Sequence, residues 1–143
     1  MSVYFHNEDN SYVLPAKRKV KSWLKTSIEH QKMSIGTINV VFCSDQHLLV
    51  INKEYLNHDY YTDIITFNYC EAKQISGDLF ISIDRVKENA SNNSVSFMNE
   101  LYRVIVHGVL HLLGYGDKED EEKIIMRALE DKYLELVSRE TSK

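Results

Sequence analysis

Cysteine is scarce in this chain, and where it does occur it rules things out. Cys43 and Cys70 stand far apart with no C-x-x-C pairing, which argues against a disulfide scaffold and a cysteine-built metal site. Each reads as a small buried hydrophobe on a strand. Long apolar runs are missing too. None approaches the ~18 residues that a membrane-spanning helix needs, so no membrane contact is expected. Ser2-Val3-Tyr4-Phe5-His6 runs straight into polar residues, unlike a signal peptide, and a bacterial cytoplasmic setting is the expectation. Positive charge is also in short supply. Seventeen Lys and Arg against 21 Asp and Glu give a net charge of -4 and a pI of about 5.8, which argues against a generic nucleic-acid coating protein with its basic footprint but leaves room for a local basic patch. Lys17, Arg18, Lys19, Lys21 and Lys25 do cluster near the N-terminus, while acids crowd Glu119 to Glu122. The lysines read as a solvated helix face ahead of an RNA contact.

With 143 residues, 43% of them hydrophobic, the chain can bury one sizeable core, and residues 1–143 are read as one domain. Val3 to His6 reads as a strand. Pro15 stands at the entrance to a helix from Ala16 to His30, whose apolar face is Val20, Trp23, Leu24 and Ile28. Ile38, Val40 and Phe42 alternate within a strand from Ile35 to Cys43. Ser44 or Asp45 then caps a helix ending near Asn57, with Leu48, Leu49, Ile51 and Tyr55 on its buried side. Strands from Ile64 to Cys70 and from Asp78 to Ile83 flank a turn at Lys73 to Ser76 and form a hairpin. A helix from Asp84 to Asn92 precedes another from about Phe97, striped by Leu101, Val104, Ile105, Val109 and Leu112. The last helix, Lys118 to about Arg139, packs through Ile124, Ile125, Leu129, Tyr133, Leu136 and Val137. No repeat appears. The pattern predicts an α+β domain, a small mixed β-sheet flanked by helices with a metal site on a central helix.

That site is the stretch His107-Gly108-Val109-Leu110-His111-Leu112-Leu113-Gly114-Tyr115-Gly116-Asp117. Residues four apart share a helix face, so His107 and His111 can aim both imidazoles at one ion. Gly114 ends the helix in the left-handed conformation and turns the chain back, bringing Asp117 within reach as a third ligand. Three protein ligands leave a fourth position for water, the pattern of a catalytic zinc, with another divalent ion also compatible. Asp117 has a second reading as the N-cap of the last helix, with Asp120 near position N3. Zincin proteases carry a glutamate base directly after the first histidine. Gly108 stands there instead, so a base must come from elsewhere.

The motif His107, Gly108, Leu110, His111, Leu112, Gly114, Tyr115 resembles that of the YbeY endoribonucleases, which are ribosomal RNA maturation factors. So do Asn52-Lys53-Glu54-Tyr55-Leu56-Asn57-His58-Asp59, Thr62-Asp63-Ile64-Ile65-Thr66-Phe67 and Gly77-Asp78-Leu79-Phe80-Ile81-Ser82. The likeness runs from about Ile35 onward. It departs where the family's usual Asp-His is Gly116-Asp117, and where its usual arginine, thought to matter for activity, is Leu56. The resemblance implies a metal-dependent endoribonuclease of single-stranded RNA, acting in ribosomal RNA maturation and ribosome quality control. It further implies rRNA precursors as substrate and the ribosome or its proteins as partners. The cations that would stand in for the arginine are Arg103, one turn before His107, His58 in the Asn57 to Asp63 loop, and Arg85. Tyr60 and Tyr61 are candidates for stacking on bases, or for packing. Thr62, Asp63, Gly77 and Asp78 are expected to shape the cleft wall or support the ligands. Two other readings stay open. The ligand spacing alone also fits a metal-dependent hydrolase of a peptide or amide bond, and the missing arginine fits a non-catalytic ribosome assembly factor with a structural metal.

Overall fold

Serine supplies three of the helix starts. In the computed structural model, which describes residues 2–141 and side chains through residue 138, Ser44 Oγ accepts from the His47 N–H, Ser82 Oγ from Arg85 N–H and Ser96 Oγ from Asn99 N–H. Each satisfies one of the N–H groups that a helix start leaves open. The extreme ends of the expected 1–143 domain, residue 1 and residues 142–143, lie outside the described residues. The order is β1 (Val3–Asn7), α1 (Lys17–His30), β2 (Ser34–Cys43), α2 (Asp45–Leu56), β3 (Ile64–Asn68), β4 (Gln74–Ser82), α3 (Ile83–Asn92), α4 (Phe97–Leu112) and α5 (Asp120–Thr141). The sheet order is β1-β2-β4-β3. β1 and β4 run parallel to β2 on either side of it. β3 is antiparallel to β4, the expected hairpin, and forms one edge.

The main core lies between the sheet and the helices. Trp23, Leu24 and Ile28 of α1 meet Ile38, Val40 and Phe42 of β2, Leu79 and Ile81 of β4, and Leu101, Ile105 and Val109 of α4. A smaller cluster beneath α2 joins Cys43, Leu48, Ile51 and Ile65. Gly108 sets how closely α4 sits on the sheet. A Cβ there would stand 2.7 Å from Ile64 Cδ1 and 2.9 Å from Leu79 Cδ2, so only glycine lets the helix come down over β3 and β4 unobstructed.

Several boundaries and faces differ from expectation. α1 starts at Lys17, because Ala16 adopts a left-handed conformation with φ 54°. β4 starts at Gln74, since the chain reverses tightly between Glu71 and Gln74 through mutual backbone hydrogen bonds of 3.1 and 2.9 Å. Tyr55 is 69% exposed; its expected inward place goes to Asn52, whose Nδ2 donates to the Tyr60 carbonyl at 2.8 Å and ties down the loop after α2. Ile124 and Ile125 are also exposed, because the inward stripe of α5 is Met126, Glu130, Tyr133, Leu134 and Val137. Among the described residues no helix is long and apolar enough to cross a membrane.

Candidate metal centre

The helix that carries the histidines ends in a Schellman motif. The Gly114 N–H donates to the His111 carbonyl and Tyr115 N–H to that of Leu110, both at 3.0 Å, with Gly114 at φ +105°. The chain then doubles back. The Tyr115 hydroxyl donates to Gln31 Oε1 (2.7 Å) and Gln31 Nε2 to the Tyr133 hydroxyl (2.7 Å). α1, α5 and the turn are thereby fastened together two residues before Asp117. α5 begins at Asp120, and its first turn is closed by the Glu119 N–H donating to Glu122 Oε1 at 2.9 Å. The helix starts too late for Asp117 to cap it, so the carboxylate faces the histidines.

His107 Nε2 and His111 Nε2 are 3.0 Å apart, and Asp117 Oδ2 is 3.2 Å from each. A tetrahedral zinc with bonds of about 2.0–2.1 Å spaces its ligand atoms about 3.3–3.4 Å apart. The triangle is within a few tenths of an ångström of that edge, and its two imidazoles and one carboxylate are an ordinary zinc donor set. These three residues therefore fit a divalent ion.

Behind His107 lies a residue that the sequence reading missed. Glu130 of α5, 5% exposed, accepts from His107 Nδ1 at 2.7 Å and from an Arg103 Nη at 2.9 Å. Burial pushes the Glu130 carboxyl up, but the hydrogen bonds and charges of His107 and Arg103 outweigh it and leave it below the ordinary range. It is therefore a carboxylate and can only accept, so Nδ1 of His107 carries a proton, and in the neutral imidazole Nε2 is left with the lone pair that a metal ligand needs. Burial pulls His107 down, yet Glu130, with Asp117 and Asp63 behind it, leaves the imidazole raised. The available signal was a carboxylate set on the apolar stripe of α5 among Met126, Tyr133 and Leu134.

The three donors face a cleft of about 540 Å³. One wall is β3, through Thr66 and Asn68, and another is the end of α2 with the loop after it, through Leu56, His58 and Tyr60. Of the sequence-predicted cations, only His58 lines this cleft. Its ring stacks on Tyr60 at 5.1 Å. Arg103 lies behind the histidines with its guanidinium engaged by Glu130 and Asp131 at 2.9 and 2.8 Å. Arg85 is outside the cleft, held by Asp45 (2.8 Å) and Glu88 (3.2 Å) and stacked on Tyr61. Thr62 and Asp63 do line the wall, and burial, opposed by His107, raises the Asp63 carboxyl. Gly77 packs beneath Leu112, and Asp78 opens on the α2 side of the sheet, so neither reaches the cleft.

This arrangement defines a small α+β domain with a candidate metal centre on its central helix, beside the free edge of a mixed sheet. Residues 4–138 match the family model described as Endoribonuclease YbeY. An Endoribonuclease YbeY of Cytophaga hutchinsonii is 49% identical over 136 residues, covering 94% of this chain and 95% of the relative. That of Phocaeicola vulgatus is 49% identical over 122 residues, 85% of this chain and 88% of its own. A solution structure of a Thermotoga maritima protein superimposes with a TM-score of 0.69 at 25% identity, covering 98% of this chain and 91% of that one. The chain belongs to the YbeY endoribonuclease family.

Proposed function

We propose that this protein is a metal-dependent endoribonuclease that cuts single-stranded RNA in the cytoplasm, acting on ribosomal RNA precursors during maturation and ribosome quality control, with the ribosome or its proteins as partners. The observation that carries the reading is the triangle of His107, His111 and Asp117 donor atoms at the mouth of a cleft, in a chain whose relatives are named endoribonucleases. These three residues hold one divalent ion, taken to be zinc. When bound, such an ion acts as a Lewis acid and acidifies water at its open position. Glu130 keeps His107 in the tautomer that leaves Nε2 free. Arg103 acts through Glu130, holding that carboxylate in place, and is a positioning residue. His58 is the candidate to neutralise charge on the phosphate being cut, since its ring lines the cleft and is exposed. Arg85, off the cleft and held by Asp45, is assigned no part in the chemistry. Gly108 and its packed surroundings disfavour the peptidase alternative, because no glutamate follows the first histidine.

The test compares metal-loaded protein with protein stripped by a chelator on a labelled single strand and on its duplex. Loaded protein should cut the single strand, stripped protein should not, and zinc should restore cleavage. His111→Ala and Asp117→Ala should both lose stoichiometric metal in elemental analysis. Equal cleavage with and without metal would refute the reading. Ribosome co-sedimentation without any cleavage would favour an assembly factor instead.

A further inference from the structure

The cleft has a second wall whose chemistry the metal site does not use. In an antiparallel pair, residues alternate between those bonded to the partner strand and those turned away from it. The Asp63 carbonyl accepts from Ser82 N–H and Tyr69 N–H donates to the Ser76 carbonyl, both at 2.9 Å. With the register Ile65 opposite Phe80 and Phe67 opposite Asp78, the odd residues of β3 bond to β4. The even residues, Ile64, Thr66 and Asn68, turn their N–H and C=O groups to the free edge, and all three line the cleft. The Ile64 carbonyl lies 3.4 Å from the Thr62 hydroxyl. Among the described residues the backbone N–H and C=O of Thr66 and Asn68 have no partner on that edge. Beside them stand the Thr66 hydroxyl and the Asn68 side-chain amide, whose oxygen alone is engaged, by the Cys70 N–H at 2.9 Å.

Charge on this wall is scarce. Among the described residues, Lys118 is the one lysine or arginine lining the cleft. An anionic strand lying there must be held mainly by neutral donors. Alternate residues of a strand repeat every ~6.8 Å, comparable to the step of one nucleotide in an extended single strand. The edge thus offers N–H donors to successive phosphates and C=O acceptors to the 2′-hydroxyls that distinguish RNA from DNA.

Building on the endoribonuclease reading, we infer that the free edge of β3, through the backbone groups of Thr66 and Asn68, is the rail along which a single RNA strand is laid into the metal site. The contact is largely uncharged. The salt dependence of KM is then shallow, since each phosphate neutralised on a single strand adds only about 0.7 to the slope of log affinity against log salt. One lysine, His58 and the bound ion keep the slope below about 2.1.

The deciding experiment is a double perturbation of the metal-loaded full chain. On the protein side, an α-hydroxy acid is installed at position 66 to replace the amide by an ester and delete that N–H. On the RNA side, a single methylphosphonate is walked along a cleavable single strand, removing one phosphate charge at a time. Each change alone should raise KM roughly tenfold at the contacted position, with kcat within about twofold. Together, at that one position, they should cost no more than either alone, because both delete the same bond. The cycle cancels any general loss of stability in the ester protein. Additive effects at every position, or a salt slope of about 3 that needs four or more cations, would overturn the inference while leaving the endoribonuclease reading intact. Wild-type protein inert on RNA refutes both. Peptide cleavage impaired by the same ester would assign the edge to an extended peptide and likewise overturn it.

Discussion

Replacing Glu130 by glutamine changes one atom of the side chain and reverses the logic of the site. The carboxylate uses its two oxygens on two donors, Oε2 for His107 Nδ1–H at 2.7 Å and Oε1 for Arg103 at 2.9 Å. An amide has one oxygen to give. With that oxygen toward Arg103, the NH2 faces His107 and favours the tautomer protonated on Nε2, the atom that must carry the lone pair for a metal. With the oxygen toward His107, the NH2 is turned on a guanidinium. Either arrangement costs metal affinity. Loss of such a supporting carboxylate weakens metal binding about 10- to 100-fold, equivalent to about 1.4–2.7 kcal/mol. Because Glu130 is nearly buried and Arg103 keeps Asp131 as partner at 2.8 Å, the metal-free fold should lose about 2 kcal/mol and remain folded at room temperature. The assay is zinc affinity by chelator competition on Glu130→Gln and wild type, with circular dichroism confirming that both are folded. A dissociation constant within about threefold of wild type would refute the claim that Glu130 orients His107.

Glu100 is 7% exposed, and burial, reinforced by Asp63, raises its carboxyl against the pull of Arg103 and Arg127. A raised carboxyl means the folded state binds its proton more tightly than the unfolded one. Wild type therefore loses stability as pH rises from the ordinary value of 4.5 through the raised one. Metal-free Glu100→Gln should melt higher than wild type at pH 7, with the gain vanishing in melts taken below about pH 4; an equal gain at both pH values would disprove the cause. In Gly108→Ala, crowding against Ile64 and Leu79 costs about 1–3 kcal/mol and the better helix propensity returns about 1, so denaturant titration should show a net loss of about 1 kcal/mol. Burial pushes the Cys43 thiol up to about 12, whereas Cys70 is only partly buried. One equivalent of a disulfide reagent should accordingly label Cys70 in the native protein, and mass spectrometry finding the label on Cys43 would contradict that placement.

Periodicity made most of the fold legible, since the stripes of α1 and α4 and the alternation of β2 are local properties that packing preserved. The misplaced residues failed for a shared reason. Tyr55, Ile124 and Ile125 are apolar at helical spacing, yet whether they face inward depends on where each helix lies on the sheet, which no local window contains. Polar residues took the inward positions instead, Asn52 to hold a loop and Glu130 to hold a histidine. At the site, His107 and His111 could be paired from spacing alone because one helix carries both. Asp117 could not be set aside as a cap until the start of α5 was known. Arg103 was rightly placed on the histidine side of α4, but its engagement by Glu130 and Asp131 is a contact between helices that are distant in sequence.

Gly108 joins the fold and the chemistry. Read as sequence, it is the absence of a protease's base; seen in place, it is a packing requirement. The histidines flanking it point into the cleft, but a Cβ at position 108 points at Ile64 and Leu79, inside the sheet contact. A glutamate there would be driven into the core rather than toward the histidines, where an unpaired carboxylate is strongly disfavoured. The base is therefore excluded by the closeness of α4 to β3, and that same closeness brings His107 and His111 beside the free strand edge. A fold that moved α4 outward to admit the glutamate would separate the donor triangle from Thr66 and Asn68. On this scaffold the glycine is what lets α4 hold the candidate donor triangle beside the free edge of β3.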